Sequence, residues 1–423
     1  MKRVLSISLF FILFALCPVN ANELSLQSAT QKALSDNPSL SQIQARYEAM
    51  KEIPSQKSSL PDPVLSIGGM NFPTDTFDRS QEAMTQVTVG FSQSFPFPGK
   101  LDLKEEIADF EARAALYAVD ELRLRLINNV SKTWWQIFYF DRALDTVNVN
   151  QTLLRQLIEV AKTKYQTGKG LQQDVLLSQL ELSKLINQKI QIKALRKNED
   201  IKLHILMGNS PLESIILEKD IDKNLAPLKD EKSLYLLAEK FRPILKLKEQ
   251  KISASTSRVN LAKKDYYPDF KVSVLYGSRI GHNAIGEERS DLFSMMLGIK
   301  IPLYAASKQD SALQEQLSKK QANTFALSHE RLKMMENISK ARNDYRQYKE
   351  QLLLFETGII PQAKQTLDSM LSGYQVDKVD FLNLVRSQVT LFNYELQYWK
   401  ALAQAKQALL DVQAYVGEEN IYE

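Results

Sequence analysis

Four short segments of the chain alternate between apolar and polar positions regularly enough to predict strands with two unlike faces. The first, around Val64 to Met70, is weak and glycine-rich. In the second, Thr85, Val87, Val89 and Phe91 fall on one side, with Gln86, Thr88, Gly90 and Ser92 on the other. The third sets Phe270, Val272, Val274 and Tyr276 against Lys271, Ser273 and Gly277, and Leu275 breaks its pattern. The fourth is the most regular: Phe293, Met295, Leu297, Ile299 and Ile301 oppose Ser294, Met296, Gly298 and Lys300. A soluble sandwich with one buried face would alternate in the same way. What favours lipid is the setting, since segments of roughly ten residues with a polar second face suit the wall of a membrane barrel. Phe95, Phe97, Tyr266, Tyr267 and Tyr304 gather at the strand ends, where a headgroup-level girdle sits. Pro61, Pro63, Pro96, Pro98, Pro268 and Pro302 mark the same ends, and a residue without an amide donor naturally closes a ladder there. The stretches joining the strands of each pair, roughly Asn71–Ala83 and Ser278–Ser290, are long and polar, as extracellular loops are. Four strands do not close on themselves, because the smallest such barrels have about eight. The barrel must therefore be shared between copies of the chain: two would give eight strands and three would give twelve.

The intervening segments are helical in pattern. From about Leu101 to Tyr165 the chain has few breakers and carries the stripe Leu122, Leu126, Val130, Trp134 and Ile137. The stretch from about Asp310 to Tyr374 mirrors it, interrupted chiefly at Gly358 and Pro361. At about 1.5 Å per residue, a helix of about 60 residues reaches roughly 90 Å. Such helices pack side by side as coiled coil, and a filamentous envelope coiled coil would account for them but not for the strands. Thr167-Gly168-Lys169-Gly170 ends the first long helix, Gly373 with Val376-Asp377-Lys378 ends the second, and periodicity then resumes, so each reads as a hairpin turn far from the strands.

The two halves are copies of each other. Ala33…Pro38-Ser39-Leu40 returns as Ala238…Pro243-Ile244-Leu245, and Pro61-Asp62 with Ser66 returns as Pro268-Asp269 with Ser273. Gly90, Lys100 and Asp102 match Gly298, Lys308 and Asp310. Tyr165-Gln166…Lys169…Ser178-Gln179…Leu182 matches Tyr374-Gln375…Lys378…Ser387-Gln388…Leu391. The offset drifts slowly from about 205 to about 209 residues, far longer than a solenoid repeat. Two fused half-molecules are expected: a first repeat over 22–207, a connector over 208–232 rich in turn signals such as Asn209-Ser210-Pro211, and a second repeat over 233–416. A short tail over 417–423 is expected to mark the end of ordered structure.

Lys2-Arg3, the apolar run Val4 to Leu16 and Val19-Asn20-Ala21 predict a cleaved signal peptide over 1–21. Its apolar run falls short of the roughly 20 residues a spanning helix needs. The lone cysteine, Cys17, could instead mark a lipid-modified start, though Leu16 before it is bulky. Cleavage after Ala21 would leave no cysteine, which removes disulfides, thiolate metal sites and cysteine nucleophiles together. The formal net charge is +4, and the leader carries two of the cations, so the balance argues against a nucleic-acid partner. No later apolar run is long enough for a transmembrane helix, so an exported chain of this kind enters a membrane as a closed barrel, with every backbone group paired.

Catalytic chemistry has no positive signal. His204, His282 and His329 are scattered and lack zinc-ligand spacing; only His282, near Glu287 and Glu288, invites a weak cation contact. Gly168-Lys169-Gly170 lacks the spacing and the hydroxyl of a phosphate loop. No nucleophile elbow or catalytic carboxylate pair stands out. No enzyme, cofactor or metal site is expected.

Taken together, the duplicated helix–strand–strand–helix–helix halves, the segment Tyr165-x-x-Gly168…Asp174-Val175-Leu176…Gln179 with its second copy at Tyr374…Gln388, and Ser92-Gln93-Ser94-Phe95-Pro96-Phe97-Pro98-Gly99-Lys100-Leu101 resemble the TolC-like outer-membrane efflux proteins. The resemblance spans nearly the whole mature chain, and its Phe-Pro-Phe-Pro-Gly-Lys-Leu stretch looks most like the branch serving heavy-metal cation pumps. It implies an α+β membrane protein: a homotrimer with a twelve-stranded outer-membrane barrel, four strands per chain, continuing into a long periplasmic α-helical barrel. It implies a passive duct partnered by a periplasmic adaptor and an inner-membrane pump of the RND type. The adaptor-contacting tips carry over to Tyr165, Gly168 and Lys169 and to Tyr374, Asp377 and Lys378, with Asp377 standing where the pattern has glycine. The constriction carries over to Asp174, Asn383 and Arg386, the last two replacing acidic residues. A self-sufficient porin, a type I secretion duct and a structural envelope coiled coil are the rival readings. The transported substrate stays open.

Overall fold

Capping residues and prolines set the first elements of the chain. The computed structural model describes residues 23–212, 214–219 and 221–422; the predicted leader, with Cys17, lies outside the described residues. Helix α1 spans Leu26–Asp36 and starts where the Ser25 side chain accepts from the Ser28 amide. Asn37 then turns the chain into α2, Pro38–Lys51, by accepting from the Ser39 and Leu40 amides. Its own amide group donates to the Leu206 carbonyl at 2.9 Å, tying this corner to the distant end of the first hairpin. A short α3, Ile53–Ser58, leads to strands β1, Val64–Met70, and β2, Gln86–Phe95. Helix α4, Lys100–Gln166, has 67 residues and is therefore about 100 Å long. It turns into α5, Gln172–Leu206.

The second half repeats the order. Helices α6, Glu231–Phe241, and α7, Pro243–Lys264, lead to β3, Asp269–Ser278, and β4, Leu292–Lys300. Helix α8, Gln309–Leu354, passes through a π-helical turn at Phe355–Ile359 into α9, Ile360–Gln375, and α10, Phe381–Val416, returns. The interruption expected from Gly358 and Pro361 is this π turn. Pro361 has no amide to give to the preceding turn, and the wider turn absorbs the missing bond. The predicted strands shift only at their ends: Thr85 precedes β2 and Ile301 follows β4.

The main core lies where α1, α4, α6, α8 and α10 meet part-way along the shaft. Trp134, Phe138, Ile338 and Leu402 are fully or almost fully buried there, as are Leu126, Val130 and Ile137 of the expected stripe. The Trp134 indole donates to the Leu24 carbonyl at 3.0 Å. The connector runs across this core, with Ile215, Leu217, Leu225 and Leu228 buried in it. It makes a parallel bridge, Leu24 to Leu217, and an antiparallel one, Leu228 to Tyr422. Order does not end at Gly417 as the sequence suggested. Ile421 is fully buried and Tyr422 pairs with the connector, so the acidic tail is held by an apolar anchor that composition alone conceals.

Among the described residues, no helix is long and apolar enough to cross a membrane. The strands form one antiparallel sheet in the order β1-β2-β3-β4.

Candidate channel wall and hairpin tips

Directly opposed residues of an antiparallel sheet share a face, so the register sorts the wall into two surfaces. Val89 pairs with Ile67 and with Tyr276, and Tyr276 pairs with Phe293. Between the strand ends, one surface is thereby apolar apart from Gln93, which lies opposite Val272: Leu65 and Ile67, Val89 and Phe91, Val272 and Val274, Met295, Leu297 and Ile299. Its side chains are open to the surroundings, Ile67 by 76% and Met295 by 71%. Exposed apolar patches on soluble monomers rarely exceed a few hundred Å², and a continuous apolar sheet face is what hydrocarbon contact requires.

The other surface is small and polar, carrying Ser66, Gly68, Thr88, Gly90, Ser92, Ser273, Gly277, Ser294 and Gly298. It is also crowded, as the inside of a curved sheet should be. A methyl group on Gly277 would meet the Gln86 side-chain oxygen at 1.8 Å, and one on Gly90 would meet Ser66 Oγ at 2.6 Å. At one end the two loops interlock, Arg289 donating to the Ser80 and Glu82 carbonyls at 3.1 and 2.9 Å. At the other end Phe97 stacks on Tyr267 with centroids 4.6 Å apart, and buried Lys100 reaches Asp269 at 2.9 Å and Asp265 at 3.1 Å. The strand-to-helix junction is thus fixed by an aromatic pair and a lysine between two carboxylates.

The hairpin turns at the far end have the same backbone in both halves. In the first, Gly168 has φ +71° and the Lys169 amide donates to the Lys164 carbonyl at 2.9 Å. In the second, Asp377 has φ +58° and the Lys378 amide donates to the Gly373 carbonyl, also at 2.9 Å. The Asp174 and Asn383 amides then close the first turns of α5 and α10 on Leu171 and Asp380, each at 3.1 Å. Gly168 adopts the left-handed conformation freely. Asp377 adopts it because a short polar side chain tolerates that region better than most. The departure from glycine leaves the turn intact.

A lysine crosses between the tips. Lys164 Nζ donates to the Asp377 carboxylate and to the Tyr374 carbonyl at 2.8 Å, and it lies 4.2 Å from the Tyr374 ring centroid. The hydrogen bond from Lys164 holds the Asp377 carboxyl below its ordinary range, with Lys169 adding a weaker pull in the same direction. Beneath it, Ala161, Tyr374, Phe381, Leu384 and Val385 form a separate small core. Asp174 is half-buried, and burial, with the Asp380 carboxylate nearby, pushes its carboxyl up.

The expected tip residues therefore separate into two groups. Tyr374, Asp377, Lys169 and Asp174 converge, whereas Tyr165 is 48% exposed and Tyr374 only 6%. Lys378, Asn383 and Arg386 are exposed in the single chain. Among the described residues no ion pair joins Arg386 to Asp174 within the chain. Sequence reasoning missed Lys164. No local pattern in the sequence points from Asp377 to a lysine 213 residues away.

The model of the outer membrane efflux protein family matches residues 29–209 of this chain and again residues 234–418. The chain belongs to that family. It is a non-enzymatic outer-membrane channel protein whose helices extend into the periplasm. Among solved structures it is similar in fold to the outer-membrane channel OprN, at 19% identity and TM-score 0.79, covering 93% of this chain and 89% of that one. The outer membrane protein VceC from Vibrio cholerae gives 17% identity and TM-score 0.76, covering 93% and 96%. CusC, studied for conformational changes accompanying folding and transmembrane channel formation, gives 13% and 0.80, covering 93% and 92%. No curated relative matches by sequence.

Proposed function

We propose that three copies of this chain form a twelve-stranded outer-membrane barrel, and that the shared barrel with its helical shaft is the exit duct of a tripartite exporter. The observation that carries this reading is a sheet with an apolar face and two unpaired edges, β1 and β4, continuous with a shaft about 100 Å long. An open sheet edge cannot stand in lipid. Pairing β4 of one copy with β1 of the next removes every edge, and three copies supply twelve strands. A porin needs no shaft, and a shaft that ends in ordered hairpins suits a periplasmic adaptor meeting the tips around Gly168 and Asp377. Asp174, Asn383 and Arg386 sit on the same hairpins, where a ring of helices narrows. The duct itself needs no energy source; an inner-membrane pump of the RND type would supply the drive. Heavy-metal cations rest on the Phe95–Leu101 resemblance alone.

The test is export in paired deletions. Removing this protein should abolish extrusion of a substrate, and removing the partner pump should abolish it equally. Export that persists without the pump would favour a porin. Dependence on an ATP-driven pump would favour a type I secretion duct.

A further inference from the structure

The polar face of the sheet bears few charges, and their arrangement is uneven. Between the strand ends, the inward positions are Val64, Ser66, Gly68 and Met70 on β1 and serine, threonine, glutamine and glycine on β2. On β3 and β4 they are glycine, serine, leucine and methionine, with one exception. The exception is Lys271. It stands opposite Ser94 on β2 and Gly298 on β4, so neither neighbour is large enough to cover it or acidic enough to neutralise it. Lys271 is exposed, and among the described residues no ion pair involves it. The charges at the strand ends differ in this respect. Asp269 binds Lys100 at 2.9 Å and Asp265 binds it at 3.1 Å, so one lysine is held by two carboxylates, and Lys300 at the strand end stands directly opposite Asp269 in the register. At the outer end Asp291 accepts from the Arg279 amide at 2.8 Å and from the Tyr276 hydroxyl.

We infer that Lys271 sets a positive fixed charge in the barrel lumen, so that the wall favours anions and anion-bearing substrates over metal cations. The inference rests on the shared-barrel reading, in which symmetry repeats Lys271 three times around one level of the lumen. Fixed charge of one sign in a low-dielectric wall concentrates the opposite ion. Its reach is set by salt: the Debye length is about 10 Å at 0.1 M and about 3 Å at 1 M. Selectivity therefore belongs to dilute electrolyte and fades in concentrated electrolyte. It also runs against the heavy-metal branch suggested by the Phe95–Leu101 stretch.

Single-channel reversal potentials in a potassium chloride gradient test this, using the full chain in planar bilayers. At about 0.1 M salt, the wild-type chloride-to-potassium permeability ratio should exceed one. Lys271→Gln should bring it close to one, Lys271→Glu should invert it, and Lys271→Arg should keep the wild-type value. All differences should shrink at high salt. A wild-type channel that prefers potassium, or a ratio unmoved by Gln and Glu, overturns the inference while leaving the duct intact. Protein that runs as a single chain and gives no conductance steps overturns the shared barrel and this inference with it. The two failures are told apart by the oligomeric state of the same sample.

Discussion

The two hairpin tips have one backbone and two different surroundings. Gly168 and Asp377 occupy the same left-handed position, and the bonds from the Lys169 and Lys378 amides agree in partner position and length. Yet Tyr374 is buried against Phe381, Ala161 and Lys164 of its own chain, whereas the matched Tyr165 stands open. Duplication preserved the turn, and divergence decided what each turn touches. A protomer covers its second tip with its first and leaves Tyr165 of the first uncovered. In the proposed ring of alternating hairpins, an exposed Tyr165 is open to contact from the next protomer.

The largest effect should come from truncating the buried member of the pair. Tyr374→Ala removes a ring from a small core and should cost about 3 kcal/mol of local stability, in the range of other aromatic-to-alanine changes. Tyr165→Ala should change a dissociated chain little and act only on the assembled protein. Thermal unfolding of both variants, before and after dissociation, checks the contrast; equal losses would break it.

Next in size is the turn itself. Gly168→Val forces a β-branched residue to φ +71°, at roughly 1–2 kcal/mol of backbone strain. Export should fall while outer-membrane insertion persists, because nothing else lies within 4 Å of the added Cβ. Asp377→Gly is the converse change. It should leave the turn in place and release only Lys164, so normal insertion with slightly altered export is expected. A collapse of the second tip in Asp377→Gly would show that the aspartate holds the turn by more than its conformation.

The smallest effect is the titration of Asp377. Lys164 lowers its folded-state pKa, so the contribution of this link is present above the ordinary aspartate range, near 3.9. It is lost only as pH falls through the depressed value. Carboxyl carbon shifts of labelled aspartates should place Asp377 below that range in the wild type and return it there in Lys164→Met. Asp174 should titrate above it in both, because burial is the leading cause of its shift.

Much of this was legible along the chain. The strands declared themselves because period-two alternation is local, and within β2 and β4 the outward and inward sets matched the register, with only Thr85 and Ile301 falling beyond the strand ends. The shaft declared itself through the stripe on α4, and Gly358 with Pro361 marked the π turn. Contacts between distant residues did not declare themselves. Lys164 and Asp377 are more than 200 residues apart, and no periodicity links them. The tail was misjudged for the same reason: Ile421 is one apolar residue in an acidic stretch, and only the connector it packs against gives it meaning. Tyr165 and Tyr374 look alike in sequence, so their unlike burial also belonged to tertiary structure.

The central claim is that one chain supplies four strands of a barrel closed by its copies. Native mass spectrometry of the protein extracted from outer membranes in mild detergent tests it most directly. The account predicts a mass of three chains, hence twelve strands. A two-chain species, with eight strands, or a stable single chain inserted in the membrane would contradict it.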